Sequence, residues 1–150
     1  MNDRPISIRP LQSDDRAGWE PLWKGYQSFY KVDLPAATTD VTFARLLDPS
    51  EPMHCLVATE GATIIGIIHF IFHRSTWTPG DYCYLQDLFT SAAARGKGVG
   101  RALIEGVVAR AKEQGASRVY WLTHETNTQA MILYDQVAQK PGFLQYRIAL

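Results

Sequence analysis

The chain has 150 residues, with 15 Lys+Arg against 15 Asp+Glu, 46% hydrophobic and 20% charged residues. That length suits one domain, and folding at this size buries roughly 70% of the unfolded surface, so a true core is attainable and a disordered chain is excluded. Balanced charge gives no electrostatic drive toward nucleic acid or a membrane surface, and neither is expected as a partner. Cys55 and Cys83 are too few for a disulfide framework and read as buried free thiols in strands. The segment Met1-Asn2-Asp3-Arg4-Pro5 has no apolar targeting run, and the longest apolar stretch, residues 64–72, is broken by Gly66 and His69. The expectation is one domain over residues 1–150, located in the cytoplasm.

In chain order, residues 6–9 alternate apolar and polar and predict a short strand. Ser13, Asp14 and Asp15 can cap a helix whose Trp19, Leu22, Trp23, Tyr26 and Tyr30 form one aromatic stripe. Leu34-Pro35 ends it, and residues 39–47 suit a second helix closed by Asp48-Pro49. Residues 53–59 and 63–73 read as strands joined at Glu60-Gly61, and residues 82–90 as a third long strand after the turn Pro79-Gly80-Asp81. Val99, Leu103, Val107 and Ala111 make the apolar face of a helix that stops at Gly115. A strand over 119–123, a helix over 128–137 and a last strand over 143–148 complete the order β-α-α-β-β-β-α-β-α-β. Three strands in a row followed by alternation predict an α/β fold, a mixed sheet with helices on both faces.

The most informative segment is Arg95-Gly96-Lys97-Gly98-Val99-Gly100-Arg101, between a strand and an amphipathic helix. Free backbone N–H groups at the positive end of a helix dipole attract phosphate, and glycines allow close approach of a ligand to the backbone. Arg95, Lys97 and Arg101 add cations suited to a pyrophosphate. A P-loop would need Ser or Thr after Lys97, where Gly98 stands. A dinucleotide fingerprint would need a third glycine at 101 or 103, where Arg101 and Leu103 stand. The glycines alone fit a plain basic loop equally well. The spacing Arg95, Gly98, Gly100 remains, and it is the pattern Arg-x-x-Gly-x-Gly.

Over residues 82–146 the chain resembles a GNAT acetyltransferase. The strand Tyr84-Leu85-Gln86-Asp87-Leu88-Phe89-Thr90, the glycine loop, Asn127-x-x-Ala130-x-x-x-Tyr134 and Gly142-Phe143 carry the resemblance. The runs Leu85-x-Asp87-Leu88-Phe89 and Leu133-Tyr134-Asp135 look like the small polyamine- and histone-acetylating branch. The resemblance implies an N-acetyltransferase with acetyl-CoA as acyl donor and a primary amine (small molecule, polyamine or basic peptide) as acceptor, reacting by direct attack in a ternary complex. It implies that two central parallel strands splay apart. The pantetheine arm would lie in that gap against the main chain of Leu88, Phe89 and Thr90 and against Asn127. Gly96, Lys97, Gly98, Val99, Gly100 and Arg101, with Arg95, would hold the pyrophosphate.

Such a transfer needs a neutral amine, a stabilised carbonyl oxygen and a proton for the leaving thiolate. Asn127 and Tyr134 lie seven apart, about two helical turns, on one face. Spacing alone makes Tyr134 a core residue beside Met131, Ile132 and Leu133. The resemblance makes it the proton donor to the thiolate. Gln86 stands where the family carries a glutamate, and an amide cannot accept a proton at neutral pH. Asp87, by strand alternation, is expected on the opposite side. Glu125 and His124 follow the neighbouring strand near the cleft mouth, where Glu125 also reads as a solvated loop charge, and an ordered water is a fourth route for the proton. His69 and His73 lack a third ligand, so no metal site is expected. Trp77, Asp33 and the tyrosines of the first helix are candidate walls of the acceptor pocket. The C-terminal strand is available to pair across a homodimer. A non-catalytic CoA-binding or regulatory domain on the same fold is the rival reading.

Overall fold

The computed structural model describes residues 5–150. Strand β1 (Ile6–Pro10) leads through a single 3-10 turn into α1 (Arg16–Phe29), followed by α2 (Ala36–Leu47). Asp15 closes that turn. Its carboxylate accepts from the Gln12 backbone N–H at 2.7 Å and from both Arg9 guanidinium nitrogens at 2.7 and 3.0 Å. Strands β2 (Met53–Glu60), β3 (Thr63–His73) and β4 (Tyr82–Thr90) form an antiparallel meander, and α3 (Val99–Glu113), β5 (Arg118–Tyr120) and α4 (Thr128–Val137) complete the regular structure. The sheet order is β1-β2-β3-β4-β5, with β4 and β5 parallel and every other pair antiparallel.

Period-two alternation sends neighbouring residues to opposite faces of this sheet. Leu56 and Ile68 join Leu103, Val107 and Phe70 under α3, whereas Val57 and Ile67 join Trp19, Trp23 and Phe43 under α1 and α2. Ile67 and Ile68, both fully buried, each contribute roughly 1.5–3 kcal/mol of apolar burial on their own side. The aromatic stripe of α1 thus forms the second core, with Trp19 at 0% exposure.

Two departures from simple alternation shape the site. The β3–β4 register pairs His69 with Asp87 but Phe70 with Leu85, so Gln86 is an extra residue in a β-bulge. The parallel β4–β5 ladder holds only three pairs, Tyr82 with Arg118, Cys83 with Val119 and Tyr84 with Tyr120. Beyond Tyr84, β4 runs on to Thr90 with no strand on its β5 side, which is the splay the resemblance implies. The predicted strand over 119–123 therefore ends early, at Tyr120. The strand expected over 143–148 is absent: after α4 the chain carries no helix or strand. Phe143, Leu144, Tyr146 and Ile148 there are 82–93% exposed, so alternation without a neighbour to pair with does not make a strand.

Candidate acetyl-CoA and acceptor site

The open edge of β4 leads straight into the glycine loop. Leu88, Phe89 and Thr90 lie on that edge, and Ser91 donates its backbone N–H to the Ile65 carbonyl at 2.9 Å. A 3-10 turn, Ala92–Ala94, follows and buries Ala94 under the α3 core. Gly96 and Gly98 then take φ values of 75° and 70°, and a Cβ on either would meet no atom within 4 Å. Gly98 is the N-cap of α3, and no side chain caps that helix. The first-turn N–H groups of Val99, Gly100 and Arg101 therefore stand without a side-chain cap at the positive end of the helix. Gly100 has a different role: a Cβ there would sit 3.3 Å from Leu133 Cδ2, so glycine lets α4 close against α3.

The basic residues of the loop are partly engaged elsewhere. Lys97 Nζ pairs with Glu60 Oε2 at 2.6 Å, and Arg101 donates to Gln136 Oε1 at 2.5 Å. Arg95 is exposed. Across the gap, Asn127 is the N-cap of α4, and its side-chain amide donates to Thr123 Oγ1 at 3.3 Å. Tyr134 is half-buried, with its ring set edge-on to Trp121 at 5.4 Å between centroids. Burial raises its hydroxyl pKa above the ordinary tyrosine value, so it carries its proton throughout the neutral range. Glu125 sits exposed in the turn before α4, away from the cavity described next.

That cavity, about 250 Å³, opens on the α1–α2 side of the sheet, and Trp23, Met53, His69, Ile71, Gln86 and Asp87 are among its walls. The bulge brings Gln86 and Asp87 to the same cavity, whereas alternation predicts opposite sides. The bulge has no signature in the sequence, so Asp87 was legible only as a neighbour. His69 Nδ1 lies 2.9 Å from Asp87 Oδ2, and the Trp19 indole N–H donates to His69 Nε2 at 3.0 Å. Burial, with the nearby Asp87 charge adding to it, raises the Tyr26 hydroxyl pKa far above its ordinary value. His73 is separate: its Nε2 meets the Tyr120 hydroxyl at 2.7 Å on the exposed end of the sheet. Trp77 is 85% exposed and stands clear of the cavity. Among the described residues, no group of three or more His, Cys, Asp or Glu could hold a metal ion, and no helix is long and apolar enough to cross a membrane.

A mixed sheet whose central parallel strands part over an uncapped helix N-terminus is the architecture of an acyl-CoA-binding acyltransferase. The profile of the acetyltransferase (GNAT) family matches residues 19–138, and the chain belongs to that family. It is an N-acetyltransferase that takes acetyl-CoA as donor and an amine as acceptor. It is 39% identical to the D-amino-acid N-acetyltransferase HPA3 of Saccharomyces cerevisiae over 98% of this chain and 92% of that one. It is 30% identical to the thialysine N-epsilon-acetyltransferase of Mus musculus over 63% of this chain and 62% of that one. In fold it is similar to the aminoglycoside N-acetyltransferase AAC(6')-Iy in complex with CoA, with a TM-score of 0.85 at 14% identity over 99% and 97% of the two chains.

Proposed function

We propose that one catalytic domain spanning residues 1–150 acetylates the primary amine of a free amino acid or similarly small amine, working in the cytoplasm by direct attack of the amine on acetyl-CoA in a ternary complex. The observation that carries the donor half is the unpaired edge of β4 running from Leu85 into the uncapped N-terminus of α3. Leu88, Phe89 and Thr90 pair their main chain with the pantetheine arm, and Asn127 contacts it from the other side. The loop from Arg95 to Arg101 holds the pyrophosphate through backbone N–H groups, and its cations strengthen the hold. Tyr134, protonated because it is half-buried, donates to the departing thiolate. Gln86 lies at the cavity wall with an amide that cannot take a proton, so it positions the acceptor, and water carries the proton from the ammonium. Glu125, exposed in the turn before α4 and away from that cavity, attracts the cationic acceptor from a distance and does not touch the reacting amine.

A cavity of about 250 Å³ suits an amino acid better than an extended polyamine or peptide, and the 39% identity to a D-amino-acid N-acetyltransferase favours the same class. The test is thiol release from acetyl-CoA with both hands of lysine, ornithine and alanine, with spermidine, an aminoglycoside and a basic peptide. Fastest release with the polyamine or the peptide overturns the amino-acid reading, and release with none overturns catalysis.

The chain works as a homodimer in this reading. Phe143, Leu144, Tyr146 and Ile148 stand almost fully exposed, and the outer edge of β5 is open, so a second copy can take this segment as an added strand. Each such side chain buried at the interface adds roughly 1.5–3 kcal/mol. Sedimentation of the whole chain and of a chain cut after residue 138 tests it: a dimer that becomes a monomer on truncation is expected, and a monomeric whole chain refutes it.

A further inference from the structure

The cavity at the bulge is lined by aromatic and aliphatic side chains, Gln86, His69 and Asp87, with no lysine or arginine among them. The hydrogen-bond pattern around His69 fixes its protonation by geometry. An indole nitrogen can only donate, so His69 Nε2, 3.0 Å from Trp19 Nε1, must be the acceptor. The proton of the neutral ring then sits on Nδ1 and is donated to Asp87 Oδ2 at 2.9 Å. His69 is 4% exposed and Trp19 is 0% exposed, so water does not compete for either bond. Trp23 packs edge-on against the imidazole at 5.1 Å and holds the ring plane. Its own buried indole N–H has no protein partner, and Trp23 is a wall of the cavity.

The consequences are specific. His69 cannot act as a general base, because its only lone pair is occupied by Trp19 and its proton already points at Asp87. Asp87 receives a neutral donor from His69 and, among the described residues, no lysine or arginine counter-cation. A carboxylate on a largely apolar wall without a cation is an electrostatic vacancy that a ligand's cation fills.

We infer that Asp87 is the cation-recognition group of the acceptor pocket, and that His69, locked as the Nδ1–H tautomer by Trp19, is the positioning residue that aims its carboxylate at the acceptor's ammonium nitrogen. The inference rests on the N-acetyltransferase reading for the identity of the ligand and names its chemistry: an acceptor that enters as a cation. The Trp23 N–H supplies a nearby donor for an acceptor atom on the same molecule, as the carboxylate of an amino acid would present.

The experiment combines steady-state kinetics with long-range proton–nitrogen spectra of the imidazoles. Using whichever amine of the panel above turns over fastest, Asp87→Asn should raise KM about ten- to a hundredfold, the loss of one charge-assisted hydrogen bond, with acetyl-CoA affinity unchanged. His69→Gln should shift KM in the same direction by less. In the wild-type chain His69 should show a protonated Nδ1 and a bare Nε2, and Trp19→Phe should abolish that fixed pattern while keeping an aromatic ring in place. A wild-type KM in folded Asp87→Asn, or a protonated Nε2 in the wild-type spectrum, overturns the inference. If wild-type protein releases no thiol with any amine, the acetyltransferase reading fails first, and the spectrum still decides the tautomer. If Asp87→Asn does not fold, Trp19→Phe and the wild-type spectrum carry the decision.

Discussion

Replacing Tyr134 with phenylalanine separates catalysis from packing at one atom. The ring contact with Trp121 at 5.4 Å and the burial under α3 survive, because only the hydroxyl oxygen leaves. A volume-conserving change of this kind costs at most about 1 kcal/mol, which is a melting shift within about 2–4 °C for a chain of this size. Loss of a general acid costs about a hundredfold or more in rate, equivalent to about 2.7 kcal/mol at the transition state. The second figure exceeds the first, so packing loss cannot imitate it. Acetyl-CoA affinity should hold, since the open β4 edge and the glycine loop are untouched. Because burial keeps the hydroxyl protonated above the ordinary tyrosine range, any rise in rate from pH 6 to 9 belongs to the amine and should persist in the variant. The assay is single-turnover thiol release at saturating acetyl-CoA, with the dissociation constant measured separately on both proteins. Near wild-type turnover in that chemistry-limited regime refutes the assignment, and so does a loss of affinity as large as the loss of rate.

Acetyl-CoA at about a hundred times its dissociation constant should stabilise the fold by about 2.7 kcal/mol, raising the melting temperature about 5–10 °C; unchanged melting would count against the loop as a phosphate site. Gly98→Val should weaken CoA binding well over tenfold and lower apo stability by about 1–2 kcal/mol, because φ is 70° there and the open space belongs to the phosphate; titration calorimetry and urea melts read the two effects. The Arg9 guanidinium holds the Asp15 carboxyl below its ordinary pKa, so this pair's stabilisation is complete above about pH 4 and fades as pH falls through the lowered value. Urea midpoints from pH 5 to 2 should fall less steeply in Asp15→Asn. At the other end, burial pushes the Cys83 thiol up to about 11, so its contribution is complete below an unfolded value of about 8.5 and is lost as pH rises toward 11; Cys83→Ala should flatten the alkaline decline in the same melts.

The parts of the fold legible in the sequence are those set by local rules. Strands β3 and β4 match their predicted bounds because their apolar and aromatic runs are bracketed by turn residues, and α4 matches because Asn127 can cap its start and Lys140-Pro141-Gly142 breaks the helix soon after its end. The glycine loop was legible because glycine at positive φ and an uncapped helix start are both written in residue types. The cavity at the bulge was not. It depends on a bulge at Gln86 and on His69 meeting Asp87 across strands, and neither has a local signature. His69 and His73 read as an equivalent pair on one strand, yet Trp19, fifty residues earlier in the chain, gives one of them a buried role. The C-terminal strand failed for the reason that strands are made by neighbours: the alternation is present, and no strand of the described sheet pairs with it.

The three-pair ladder between β4 and β5 has one more consequence. A bound pantetheine arm, hydrogen-bonded along β4, would stand where a longer β5 would have stood, and the donor would complete the sheet as a surrogate strand. The chain from Arg118 onward is fastened to the rest by a short ladder and by the packing of α4 on α3. In the unliganded protein, amide hydrogens of β5 and α4 should exchange as one loosely held unit, and acetyl-CoA should slow them together. A cosubstrate bound there would thereby also act as a folding ligand, and a cell's acetyl-CoA supply would set how firmly this last part of the chain is held.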